Sequence, residues 1–235
     1  MTRGRKLSEV PAKVTAIFTL AVLAQLVCGA TRPAPVARAS ELDSPPGLGV
    51  LRVASLGEPI AAAQWLTLSL QAYDNQPGIS IPFLELDYGQ VRAWLTRILE
   101  LDPNTNYPLL MAAQLYGQVP DEAKQRLMLQ WVHEQFMHDP NLRWRYLAHA
   151  AIMAKHRLHD MSLALAYARD IAARAIAPEV PAWARQMHIF LLEDMGEYEG
   201  AKILLGGLLA GGTVTDAHEI HFLMERLAAL KAQTK

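Results

Sequence analysis

Eight histidines are scattered along the chain, and two pairs of them, His156/His159 and His218/His221, stand three residues apart. On a helix that spacing puts both rings on one side, where a metal ion could bridge them. Neither pair has a carboxylate or a third histidine fixed beside it by sequence, so each reads first as ordinary helix-surface histidine. Asp170, Glu193 and Asp194 offer carboxylates for general acid–base work, but carboxylates on helix faces and ends are common and solvated. No G-x-S-x-G, no phosphate-cradling G-x-x-x-x-G-K-[ST] and no H-E-x-x-H occurs. The doublets Gly206-Gly207 and Gly211-Gly212 lack a preceding strand and suit close packing and helix termination. Cys28 is the lone cysteine and lies in an apolar segment. It leaves no cysteine nucleophile in the rest of the chain, and no disulfide or zinc ribbon within it. These residues point to no catalytic group, no metal site and no cofactor.

The elements that would position such groups are bounded by size and charge. A chain of 235 residues, 51% of them hydrophobic, is long enough for one domain plus a tail or for a short repeat array, and it can bury a core. The net charge of -1 hides an asymmetry. The first 39 residues hold Arg3, Arg5, Lys6, Lys13, Arg32 and Arg38 against Glu9 alone, leaving 16 bases against 22 acids in the remainder. An acidic body is a poor partner for a phosphate backbone, so nucleic acid is excluded as a partner.

Residues 1–30 read as a signal peptide or a single membrane anchor. Val14 to Ala30 is uncharged, and as a helix of about 1.5 Å per residue it comes to about 25 Å, just short of a roughly 30 Å hydrocarbon core. Ala37-Arg-Ala39 is an A-x-A sequence, so removal of the segment is compatible with the pattern. Gln25 and Val27 stand where a lipoprotein signal carries an aliphatic and a small residue, which argues against lipidation of Cys28. The preceding bases favour an N-terminus inside and a body on the translocated, periplasmic-type side. Residues 31–49, with Thr31-Arg-Pro-Ala-Pro35 and Ser44-Pro-Pro-Gly47, suit an extended Pro-rich linker, and the folded body is expected over 50–235.

The body has the apolar spacing of successive amphipathic helices and no alternating β-branched stretch long enough for a sheet. Helices are expected at about 59–73, 87–101, 106–117, 121–138, 142–157, 160–175, 180–194, 197–210 and 216–232, four pairs and one over, with a break at 74–82. Leu101-Asp-Pro103 and His138-Asp-Pro140 end corresponding helices 37 residues apart. Leu109, Ala112, Ala113 and Tyr116 have a large–small–large spacing that Trp144, Leu147, Ala148 and Ala151 nearly repeat. Met195-Gly-Glu-Tyr-Glu-Gly-Ala201, followed by Leu205 and Leu208, has the form of a turn leading into a second helix. In these fragments, between about Pro59 and Gly211, the chain resembles the tetratricopeptide-repeat family. The insert at 74–86, the irregular period and Pro181 depart from the family pattern.

The resemblance implies an all-α fold, a right-handed helical-repeat solenoid of about four helix pairs with 216–232 as a C-terminal cap. It also implies a partner-binding groove lined by the first helix of each pair. The groove positions would be Tyr107, Leu110 and Gln114, then Arg145 and His149, then Trp183, Gln186, Phe190 and Glu193. Aromatic and Arg side chains give the large contact area and directed polar contacts that protein recognition needs. The leading expectation is a membrane-tethered or exported scaffold holding a protein or peptide in that groove, with the membrane met through residues 14–30 if they are retained. The alternatives are an all-helical enzyme or metal-binding protein using His149, His156 or His159, and a structural subunit of a membrane complex whose contact is Val14 to Ala30.

Overall fold

The computed structural model describes residues 11–31, 42–76, 79–212 and 214–233. The basic residues ahead of residue 11 and the Ala37-Arg-Ala39 sequence lie outside the described residues. The described chain is helical throughout, apart from a two-residue antiparallel ladder that pairs β1 (Asn75–Gln76) with β2 (Ile79–Ser80).

The first helix, α1, runs from Ala12 to Thr31, with no buried residue. Its 20 residues, at about 1.5 Å each, come to about 30 Å, the thickness of a hydrocarbon core and longer than the uncharged run alone suggests. The helix is long and apolar enough to cross a membrane, and a signal sequence passes the same test.

The body starts earlier than its linker composition implies. Leu42 is 5% exposed, and the Asp43 carbonyl accepts a 2.7 Å hydrogen bond from the Trp94 indole. A short helix, α2 (Leu48–Ala54), then buries Leu51. It leads into α3 (Pro59–Tyr73), where Pro59 occupies the first turn, a position that has no amide partner to lose.

Four more elements begin from Asp-capped or Pro-initiated turns. Asp87 caps α4 (Tyr88–Leu101), Asp121 caps α6 (Glu122–His138) and Asp160 caps α8 (Met161–Arg174). Each carboxylate accepts from a backbone amide of the first turn, satisfying a donor the helix leaves unpaired. Asp139 closes α6 and its side chain caps α7 (Pro140–His156). The remaining helices are α9 (Ala182–Asp194), α10 (Tyr198–Ala210) and α11 (Ala217–Gln233).

The expected 106–117 helix is the exception. It forms one α-turn, α5 (Tyr107–Leu110), continues as a widened π-turn over Met111–Leu115 and tightens to a 3-10 turn at Tyr116–Gln118. Gly117 permits this, because a Cβ there would stand 2.8 Å from the Ala112 carbonyl oxygen. The extra residue in the turn keeps Ala112, Ala113 and Tyr116 all buried, and the Tyr88 hydroxyl donates to the Tyr116 carbonyl at 3.1 Å.

Three corresponding helix ends share nearly the same ψ, and the first two nearly the same φ. Asp102 (φ −134°, ψ 86°) ends α4, Asp139 (φ −146°, ψ 81°) ends α6 and Ala175 (φ −88°, ψ 76°) ends α8. The first interval is 37 residues and the second 36, so the third member is Ala175.

Consecutive helices pack together along the chain, and several longer side-chain bonds link a helix to the next but one. Among the even helices, Trp131 of α6 donates to Thr96 of α4 at 2.9 Å and Arg92 of α4 to Glu134 of α6 at 2.7 Å. His133 of α6 lies 2.7 Å from Asp170 of α8. Among the odd helices, Gln71 of α3 bonds Tyr107 of α5, Lys155 of α7 bonds Asp194 of α9, and Gln186 of α9 bonds Glu219 of α11. These bonds span 33 to 42 residues, about one helix pair each. The core runs along the row in the same way, with Trp131, Phe136, Leu147, Ile171 and Leu205 all fully buried. Buried Arg143 ties neighbouring turns, donating to the Gln135 carbonyl at 2.9 Å and the Pro103 carbonyl at 3.1 Å.

Candidate protein-binding surface

Of the nine positions expected to line a groove, half-buried Leu110 ends α5, and the structure divides the other eight into three groups. Tyr107 is partly exposed at the start of α5, its hydroxyl accepting from Gln71, and Gln114 is exposed on the π-turn.

The second group is aromatic and cationic. Trp183 of α9 meets Trp144 of α7 edge-on, with ring centroids 5.5 Å apart at 71°. The exposed Arg145 guanidinium lies 5.2 Å over the same Trp144 ring. Such edge-on and cation–π contacts hold the side chains in place without covering them, and Trp183 is still 52% exposed. Arg145, His149, Ile152 and His156 follow one another at three- and four-residue steps down the outer side of α7. Arg145, Ile152 and His156 are exposed and His149 is half-buried. His149 is bonded to the Ala113 backbone in the π-turn, and burial holds its pKa below the ordinary histidine value. It links the π-turn to α7.

The third group is engaged within the fold. Gln186 is buried and donates to Glu219. Phe190 meets Phe222 at 6.2 Å, with the Arg226 guanidinium 5.7 Å above its ring. The buried Glu193 carboxylate accepts from Arg226 at 2.6 Å. The three α9 residues and their three α11 partners form a closed seam, so this end of the odd-helix surface is covered by α11. Ile220, Leu223, Leu227 and Leu230 turn the apolar stripe of α11 inward, Leu223 and Leu230 fully so.

Between the second and third groups lies a cleft of about 160 Å³, lined by Ala151, Ile152, Lys155, His156, Met187, Phe190, Leu191 and Asp194, and bridged by the Lys155–Asp194 ion pair. Sequence reasoning passed over Ile152 and Met187. The signal for Ile152 was its position seven residues beyond Arg145, two helical turns down the same face.

The histidine pairs separate. His156 is the last residue of α7 and His159 lies beyond it with φ 51°, so the two do not share a helix face. His218 and His221 do share α11, both exposed. No group of three or more metal-ligating side chains converges among the described residues. A larger cleft, about 690 Å³, opens between the ends of α8, α9 and α10 and the start of α11, with Ile189, Ile203, Leu208 and His188 on its walls.

No family model, curated protein or solved structure matches the chain.

Proposed function

We propose that the chain is a membrane-tethered or exported scaffold built as a right-handed solenoid of tetratricopeptide-like helix pairs, and that it holds an extended segment or helix of another protein on its odd-helix surface. One observation carries the reading. Side-chain bonds join α3 to α5, α4 to α6, α6 to α8, α7 to α9 and α9 to α11 at separations of 33 to 42 residues, and a pair stacked only on its neighbours produces that pattern. The surface available to a partner runs from Tyr107 and Gln114 over Arg145 and Trp183, which rest against buried Trp144, to the Ile152–Met187 cleft. Gln186 and Glu193 support it from below by fixing α11. A scaffold of this kind needs no cofactor and performs no covalent chemistry. α1 delivers or holds the body at a membrane, with the body on the translocated, periplasmic-type side.

The test is partner capture from envelope membranes, using photo-crosslinking side chains placed at Gln114 and Ile152 on the odd-helix surface and at Ile203 away from it. Adducts are expected from the first two positions and not the third, and Arg145→Glu with Trp183→Ala should abolish them while the far-ultraviolet circular dichroism stays unchanged. Equal adduct recovery with and without that double substitution rejects the surface.

A further inference from the structure

The two ends of the helix row differ in a way that packing within the body does not explain. The outer side of α11 mixes exposed Phe222 and Met224 with the polar His218, His221 and Glu225. The opposite end, formed by α2 and α3, is poorer in charge. From Ser44 to Tyr73 the only charged residues are Arg52 and Glu58. The outward stripe of α3 is Ile60, Ala61, Gln64, Trp65 and Leu68, at one- to four-residue steps and without a charge. Trp65 is 56% exposed and Leu68 64%. At the turn between the two helices Val53 is 79% and Leu56 92% exposed.

Leu56 adds a second kind of evidence. It sits in the left-handed region, φ 52°, beside Gly57 at φ 93°. A residue with a Cβ pays about 1 kcal/mol or more for that conformation. Its side chain recovers nothing inside the fold, because it is almost wholly exposed. The turn, held by the Leu56-to-Val53 and Glu58-to-Ser55 backbone bonds, therefore presents a large aliphatic side chain outward with no partner for it inside the fold.

The tether decides what that contact is. α1 ends at Thr31 and Leu42 is already packed in the body, eleven residue steps later. At about 3.5 Å per residue these steps reach no more than about 38 Å. The α2–α3 end is thus held close to whatever surface α1 enters. An uncharged stripe with an amphipathic indole and a single base at its tip matches the boundary of a bilayer, where Trp is favoured and Arg meets anionic headgroups. A specific protein partner would be expected to demand complementary charges, and this surface supplies almost none.

We infer that the α2–α3 tip, Val53, Leu56 and Ile60 with Trp65 behind them, lies in the headgroup boundary of the membrane that α1 spans, fixing the orientation of the body on the bilayer. The inference rests on α1 being retained as an anchor.

The test uses the full chain in phosphatidylcholine–phosphatidylglycerol vesicles, with and without bromine on the lipid acyl chains. An environment-sensitive fluorophore is attached at native Cys28, or at Val53→Cys or Ile203→Cys in a Cys28→Ser background. Bromolipid is expected to quench the dye about twofold or more at positions 28 and 53, consistent with insertion of about 5–10 Å at the tip, and to leave position 203 unquenched. Leu56→Glu with Ile60→Glu should remove quenching at 53 and preserve it at 28, which separates docking of the tip from partitioning of the dye itself. Quenching at 28 with none at 53 overturns the inference and leaves the anchor intact. No quenching at 28 overturns the anchor and the inference together. Protection of 53 from aqueous iodide without bromolipid quenching assigns the tip to a second copy or another protein and also overturns it.

Discussion

The seam between α9 and α11 can be weighed through one side chain. Glu193 has only 7% of its side chain exposed, and Arg226 Nη2 lies 2.6 Å from its Oε2. The other carboxylate oxygen, Oε1, is buried with no hydrogen-bond partner. Arg226→Met keeps most of the aliphatic stem over Phe190 and removes the one cation that pairs with that carboxylate among the described residues. Breaking a fully buried pair costs about 3–5 kcal/mol, and an exposed pair about 0–1. Arg226 is 45% exposed, which places the cost between these limits, at about 2 kcal/mol. Because each 1.4 kcal/mol is a factor of about ten, α11 should open about 30-fold more often, read as faster amide exchange at Leu223 and Leu230. Amides in α6 and α7 should keep their protection. Removing the stranded charge as well, with Glu193→Gln, should bring exchange back to within about threefold of the parent. Less than a threefold change in the single variant, or a double variant no better than the single, would refute the claim that this pair holds α11 to α9.

Gly117→Ala places a methyl 2.8 Å from a backbone oxygen that has no rotamer to escape into. The expected loss is about 1–3 kcal/mol, measured by urea unfolding, together with displacement of His149, whose partner is the Ala113 backbone in the same turn; an unchanged midpoint would show that the π-turn is not required. Burial lowers the pKa of His149 and of His188 in the folded chain. Below the ordinary value of 6.5, the unfolded chain binds protons that the folded chain refuses, so stability is full above that value and declines as the pH falls beneath it. Urea midpoints should drop between about pH 7.5 and about pH 5.5, and the drop should shrink in His149→Gln and His188→Gln; a midpoint that rises on acidification would contradict the burial argument.

Much of the helix order was legible because it depends on local chemistry. Pro59 and the Asp102-Pro103 and Asp139-Pro140 junctions mark helix limits through the fixed proline φ and the side-chain cap, and the observed bounds fall within two residues of those expected for α3, α4, α6, α7 and α8. The buried positions Leu109, Ala112, Ala113 and Tyr116 were legible from spacing alone. The π-turn through them was not, because Tyr107 to Leu115 has the composition of an ordinary helix and the widening comes from the approach of Gly117 to Ala112. α2 was hidden by the Pro-rich stretch before it. Its seven residues bury Leu51, too short a period to register in sequence.

The candidate surface was legible only as a set of positions on a helix face. Periodicity says which residues leave a helix together, but not what arrives to cover them. Gln186, Phe190 and Glu193 have the same outward spacing as Arg145 and His149, and only the return of α11 distinguishes them. Arg143 and Arg145 stand two residues apart, and the one that is buried is set by the carbonyls of Pro103 and Gln135.

Contacts that reach only one helix pair away also govern how the molecule answers to mechanical load. Under the anchoring proposed for α1, tension would enter the body at Leu42 and at the Asp43–Trp94 bond, then at α2. Because the helix-to-helix side-chain bonds span 33 to 42 residues, the body should yield as a series of small extensions, each about one hairpin long, and re-form them in reverse as the pull relaxes.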